Sequence, residues 1–374
     1  MIPSALVVIT IVISLIVCAP VDQSLLVKQS PAEKQPELAI YWVDVDGGAA
    51  TLIVTPAGES ILVDAGENKE SHAKRIHKVA AGVAGLKQID YFVATHWHAD
   101  HYGGVSKLNQ LMPIKKFYDH GLPNENDFST KPDLQREKEK GLLDIYKKVT
   151  KESSVVLNPG DTLPLQQASG GPPISIKCLA SAGRFLPETA KETKGLSNSF
   201  CKEQKSHPQD LTDNAMSIVL LLTYGQFSFL DPGDLTWQME SQLVCPENNI
   251  NPVVLFQISH HGLDSSNNPV LIESIKPRVV VINNAPKKGA EPNTLKTLQK
   301  ISTIETIWQI HRNSRTGPEL NTKQKYIANS EGETGAFIKA SVHSDGKFSV
   351  QIGESGNLEP VSYTHLTLPT SDLV

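Results

Sequence analysis

Between Ile89 and Gly104 the chain reads IDYFVATHWHADHYGG, an apolar, β-prone run that stops abruptly in three histidines and an aspartate. A strand ending in a turn and then a helix projects neighbouring side chains into one crevice. His96 and His98 lie two residues apart, so both can face one point. Asp100 and His101 belong to the next turn and can face a second point nearby. Imidazole and carboxylate together suit zinc, and also manganese or iron. A lone histidine pair is more often structural, whereas four ligand-type residues in H-x-H-x-D-H after a buried strand form a far more specific signal.

The rest of the chain arranges itself around that strand. LAIYWVDVDGGAATLIVTPAGESILVDAG, ahead of it, reads as three strands broken at Gly47-Gly48 and Ala57-Gly58. HAKRIHKVAAGVAGL has helical spacing, and IKKFYDHG is another strand. A Lys/Glu-rich stretch from Leu122 to Lys151 reads as a loop and one exposed helix. SSVVLNPGDTLPL and PISIKCLA are strands, and residues 182–213 form a polar insertion.

The second half repeats the logic. AMSIVLLLTYGQFSFLDPGDL is a hairpin turning at Tyr224-Gly225. LTWQMESQLVC is a helix, PVVLFQISHHG a strand ending in paired histidines, and strand–helix alternation continues to IETIWQIH. GAFIKASVHSDGKFSVQIG closes as a hairpin. Two halves that each begin with strands and go on to alternate with helices imply an α/β fold: an αββα sandwich of two mixed sheets with helices on both outer faces.

The bulk numbers are permissive. A chain of 374 residues with 39% hydrophobic content can bury a large core, and a formal net charge of -5 argues against nucleic-acid binding driven by overall charge. Residues 1–20 hold an apolar run, Ala5 to Ala19, of signal-peptide length. They are expected to act as a leader or membrane anchor, followed by a linker over 21–36 and an exported, periplasmic or extracellular domain over 37–355. Residues 361–374 do not continue the pattern and read as a non-native tail. Cys178 sits in a strand pattern as a buried thiol. Cys201 and Cys245, both beside polar loops, are expected to pair in an oxidising compartment.

The histidine cluster, ILVDAG, FSFLDPGDL and ISHHGL together resemble the signature motifs of the metallo-β-lactamase superfamily over most of Leu38 to Gly353. Within it, the soluble hydrolase domain of the competence protein ComEC is similar in VDVDGGAATLIVTPAGESILVDAG, DNAMSIVLLLTYGQFSFLDPGDL and SHHG. The resemblance implies two divalent metal ions, zinc first, with manganese or iron as alternatives. The implied ligands are His96, His98, Asp100, His101, Asp234 as the bridge, and His260. His261 would lie behind the ligands or replace His260. Asp100 would also orient a metal-bound hydroxide, and Asp64 would orient a ligand from behind.

One departure stands out: the superfamily's third motif is usually a histidine, and none stands in that frame. TDNAM offers Asn214 or Asp213 as an oxygen donor instead, which favours a harder ion. His120, Asn284, Lys287 and Lys288 are candidates for lining the substrate pocket. His311, ending IWQIH, is placed like the INNAPKKG residues after a strand of the second half but reads as structural, and His72, His77 and His343 carry no supporting context. Di-iron oxidoreductases of this fold usually have Glu where His98 stands.

The expected activity is metal-dependent hydrolysis of a phosphodiester, on a small molecule or a nucleic-acid fragment. A lactone or β-lactam hydrolase and an exported non-catalytic metal-binding module are the alternatives. No G-x-S-x-G elbow is present, which disfavours a serine nucleophile. No stable protein partner is expected, and membrane contact is expected only through an uncleaved N-terminal segment.

Overall fold

Leu38, Ile40 and Trp42 point to one side of their strand and Ala39 and Tyr41 to the other, yet all five are buried. A strand buried on both faces must lie inside a layered structure, and the computed structural model has that form. It describes residues 37–123, 132–186, 196–205, 207–248, 250, 252–330, 332, 335–356 and 358–361. The expected leader, the linker and residues 362–374 of the expected tail lie outside these, as do 187–195 and 206 of the insertion.

The first sheet has nine strands, in the order Glu359–Val361, Phe348–Ile352, Ile338–Val342, Leu38–Trp42, Thr51–Val54, Ser60–Val63, Ile89–Val93, Ile114–Asp119 and Val155–Val156. The last four run parallel and the rest pair antiparallel. The second sheet has eight, in the order Ile327–Asn329, Thr306–His311, Val279–Ile282, Leu255–Gln257, Phe227–Asp231, Val219–Tyr224, Ile174–Ser181 and Arg184–Phe185. It too is mixed, parallel from the first to the fifth of these strands.

The inner faces share one core that includes Trp42, Val63, Val93, Leu220, Phe229, Val281 and Trp308. Helices Glu70–His77, Val105–Leu111 and Asp133–Thr150 cover the outer face of the first sheet through Ile76, Leu108 and Tyr146. Pro269–Ile275 and Pro292–Lys300 cover the second through Leu271 and Leu295. The four-layer αββα expectation holds.

A polar bolt crosses the apolar interior. The side-chain oxygen of Gln257 accepts from Trp42 Nε1 at 2.8 Å and Thr51 Oγ1 at 2.7 Å, and its amide donates to Asp231 Oδ1 at 2.7 Å. Both the oxygen and the nitrogen of the Gln257 carboxamide thereby have partners, as a buried amide requires.

Two details depart from the sequence reading. Helix Glu70–His77 continues only as a wider turn, Lys78–Val83. Glu359–Val361 pairs with Phe348–Ile352 as an edge strand, so Val361 belongs to the domain and not to the tail. Cys201 and Cys245 form a disulfide with Cα atoms 5.8 Å apart, tying the insertion to the end of helix Trp237–Gln242, and Cys178 is a buried free thiol. Among the described residues no helix is long and apolar enough to cross a membrane.

Candidate metal centre

Strand Ile89–Val93 delivers the cluster as expected. Thr95 and His96 follow it, and His98 precedes the short helix Ala99–Tyr102. Asp64, at the end of the neighbouring strand, is held at φ +60°. Its Oδ1 accepts from Thr95 N at 2.8 Å; its Oδ2 accepts from Thr95 Oγ1 at 2.7 Å and meets His101 Nδ1 at 2.6 Å. That contact fixes the His101 proton on Nδ1 and turns Nε2 towards the cleft, the arrangement by which a carboxylate orients a metal-binding imidazole. From the second sheet, strand Phe227–Asp231 leads into the turn that carries Asp234. Strand Leu255–Gln257 leads into Ser259–Gly262, with His260 and His261.

Two groups of donor atoms result, each with its members within 4.8 Å of one another: His96, His98 and Asp234, and Asp100, His101 and His261. Asp234 Oδ2 joins them. It lies 3.8 Å from His96 Nε2, 3.1 Å from His101 Nε2, 3.6 Å from His260 Nε2 and 3.3 Å from His261 Nε2. His261 Nε2 also stands 3.3 Å from Asp100 Oδ2 and 3.2 Å from His101 Nε2, while its Nδ1 lies 3.1 Å from the Asn283 carbonyl oxygen.

The charge pattern is unusual for a buried site. Burial holds His96 well below the ordinary histidine value, reinforced by His101. For His101, burial opposes the charge, but Asp234, Asp64 and Asp100 outweigh it and raise its pKa well above normal. Asp234 and Asp100 are lowered in turn: burial opposes their charge, and His101 is the foremost of the groups that outweigh it.

Residues this crowded fit divalent cations on an observation independent of the motif. His96 Nε2 is buried with no hydrogen-bond partner, and so is Asn214 Oδ1. An orphaned buried imidazole nitrogen is costly unless a cation takes its lone pair. His96, His98 and Asp234 would hold one ion; Asp100, His101, His261 and the shared Asp234 would hold the other.

Several expectations need correcting. The donor atoms of His261 lie beside those of Asp100 and His101 rather than behind them. Asn284 does not line the cleft. It is fully buried, with its amide spent on the backbone of His311 at 2.7 Å and 3.3 Å, because a buried strand end needs those groups paired. Of the two lysines, Lys288 reaches the cluster, through an ion pair with Asp100 and a 2.8 Å bond to Gly47 O, whereas Lys287 is exposed. His120 lies 3.1 Å from Asp213 Oδ2, which also accepts from Trp97 N between the two cluster histidines. Asp213 therefore braces the loop, and its neighbour Asn214 faces His260, Nδ2 to Nε2 at 3.3 Å.

Sequence reasoning passed over Asp44, Asp46, His72 and His311. Asp44 Oδ1 lies 2.8 Å from His311 Nε2, Asp46 Oδ2 lies 3.1 Å from His72 Nε2, and the Arg75 guanidinium bridges both aspartates. The alternating carboxylates of VDVDGG were the available signal. With Arg75 already seated between them, this group is an ion-pair network that ties the first strand to helix Glu70–His77.

Residues 43–172 match the metallo-beta-lactamase superfamily by sequence. Over that segment the chain is similar to that superfamily. A curated relative, Beta-lactamase-like protein 2 homolog of Caenorhabditis elegans, is 30% identical over 82 residues, 21% of this chain and 27% of the relative. The chain thus matches about a quarter of that relative's length. Among solved structures, CmlA, a diiron beta-hydroxylase from Streptomyces venezuelae, is 16% identical with a TM-score of 0.38, covering 66% of this chain and 45% of CmlA. MEM-A1, a subclass B3 metallo-beta-lactamase from a soil metagenome library, is 12% identical with a TM-score of 0.31, covering 72% and 75% respectively. The match agrees with the two mixed sheets, the outer helices and the cleft into which both sheets carry histidine and aspartate side chains.

Proposed function

We propose that the chain is a metal-dependent hydrolase acting at a dinuclear centre, with phosphodiesters as its substrate class. The observation that carries the dinuclear reading is Asp234 Oδ2, which lies within 3.8 Å of four imidazole nitrogens drawn from both sides of the cleft. A carboxylate so placed would be able to hold two cations at once. Two bound divalent ions lower the pKa of a water and polarise the group under attack. The chain's own contribution is orientation: Asp64 fixes the His101 tautomer, and the Asn283 carbonyl fixes that of His261.

Lys288 supports an anionic substrate, since its ammonium stands at the cleft beside Asp100. The ComEC-like strands and SHHG support the same ranking. The imidazole-rich donor set favours zinc. Export is proposed with it, supported by the Cys201–Cys245 disulfide.

The test is turnover of bis-p-nitrophenyl phosphate and single-stranded DNA, beside nitrocefin and an acyl-homoserine lactone, with zinc and with manganese. His98→Ala is expected to abolish phosphodiester cleavage while leaving the fold intact. Opening of the lactone or lactam with no phosphodiester cleavage overturns the substrate class. No turnover on any of the four removes the hydrolase reading.

A further inference from the structure

His260 and His261 are consecutive non-glycine residues with φ of +51° and +55°. Side chains with a Cβ rarely adopt that region, and two in a row persist only where surrounding structure over-determines them. Here the strained pair fans its rings apart, with centroids 6.1 Å apart and planes tilted by 58°. Each ring is then held separately. His260 Nδ1 lies 3.2 Å from the hydroxyls of Ser265 and Ser266, and His261 Nδ1 meets the Asn283 carbonyl. Both Nε2 atoms are left turned to the same Asp234 oxygen.

They approach it from different sides. His261 Nε2 contacts His101 and Asp100. His260 Nε2 instead contacts Asn214, whose turn is seated by the Asp213 carboxylate against Trp97 N, between His96 and His98. The carboxamide of Asn214 is buried, and its Oδ1 has no partner. A half-rotation of the amide exchanges its oxygen and nitrogen, so the same side chain can turn an oxygen donor to the point that His260 faces. These are also the residues of TDNAM, where the superfamily's third-motif histidine would be expected.

We propose that the histidine pair is divided between the two ions: His260, with the Asn214 oxygen, replaces the missing third-motif histidine at the His96–His98 position, and His261 completes the Asp100–His101 position. The proposal rests on the dinuclear reading above, but its test needs no substrate.

The purified full chain is stripped with a chelator and titrated with zinc against a chromophoric competitor, and its cobalt(II) absorption spectrum is recorded. The variants are His260→Gly, His261→Gly, His98→Ala and His101→Ala, singly and in pairs. Glycine accepts the positive φ of both turn positions, so these two variants keep the backbone. Loss of an outer partner of a ligand already costs about 10–100-fold in metal affinity, so loss of a ligand is read as at least about tenfold.

His260→Gly and His98→Ala are expected to weaken the same binding step, with no second step lost when they are combined. His261→Gly and His101→Ala weaken the other. His260→Gly with His261→Gly weakens both. Should His260→Gly disturb the near-ultraviolet circular dichroism of the metal-free chain, His260→Asn takes its place. Asparagine tolerates the left-handed region and offers an oxygen, so partial retention of the step is expected.

The division is overturned if the glycine variant, or the asparagine variant used in its place, leaves both steps unchanged, or if it weakens the step that His261→Gly weakens. Two intact steps in a protein with no turnover sink the hydrolase reading alone. A wild-type chain with fewer than two steps sinks both.

Discussion

Glu240 lies on helix Trp237–Gln242, fully buried beneath the turn that presents the paired histidines. Its Oε2 accepts from Asn268 N at 2.7 Å, and its Oε1 has no partner. Burial raises its pKa to about 7, only partly offset by the Asn268 amide. In the unfolded chain it titrates near 4.5. Between those values the folded state holds a proton that the unfolded state has released, so stability falls as pH rises from 4.5 to 7 and is level in this respect above 7. At about 1.4 kcal/mol per unit, the span amounts to roughly 3 kcal/mol.

Glu240→Gln keeps an acceptor for Asn268 and removes the titration. It also places an amide where Oε1 was, which adds a cost that does not depend on pH. The difference in unfolding free energy, variant minus wild type, should therefore climb by about 3 kcal/mol from pH 4.5 to pH 7 and then flatten, whatever its starting offset. Urea titrations of both proteins at pH 4.5, 5.5, 6.5 and 7.5, under identical metal conditions, read it directly. A difference that is flat across this range, or that falls with rising pH, would falsify the assignment of a protonated Glu240.

Three further outcomes follow from packing. Gly289, at φ +74°, would place a Cβ 2.0 Å from the His261 carbonyl oxygen, so Gly289→Ala should destabilise the fold by about 3 kcal/mol and weaken one zinc-binding step; an unchanged urea midpoint and zinc titration would refute it. Gln257→Leu strands the Trp42 and Thr51 donors and Asp231 inside the sandwich, and should cost about 3 kcal/mol or more in a denaturant titration. Removing the disulfide, which spans a sequence separation of 44, by Cys201→Ser with Cys245→Ser should cost up to about 4 kcal/mol on loop entropy; equal unfolding free energies for variant and wild type would show that the bridge constrains nothing.

The layers of this fold were legible because the strands are apolar on both faces or strictly alternating, and because the helices carry an apolar stripe. The short-range half of the site was legible for a related reason: H-x-H-x-D-H packs four donors into one turn, where spacing alone governs direction. The long-range half was not. Nothing in ISHHGL says which ring faces which neighbour, because the order is set by two left-handed residues whose φ no local propensity favours. Asn284 looked like a cleft residue since it follows a strand of the second sheet, but its carboxamide pairs the backbone of His311, whose own ring meets the buried Asp44. Asp44 and Asp46 went unread because their partners, Arg75, His72 and His311, are brought up only by packing.

Leu38 pairs with Val342, and the strand that begins there borders the hairpin Ile338–Ile352 on one side and Thr51–Val54 on the other. The second sheet is therefore threaded between the opening and the closing strands of the first. As the chain leaves the ribosome, Leu38–Trp42 emerges ahead of the second sheet with one hydrogen-bonding edge open, and its partner Ile338–Val342 is made only after that sheet. An open apolar edge is a template for pairing with other chains, and contacts this distant in sequence form slowly. The interval between those two events is when a nascent chain of this topology is most exposed to aggregation, and when a chaperone binding that edge would have most effect on yield.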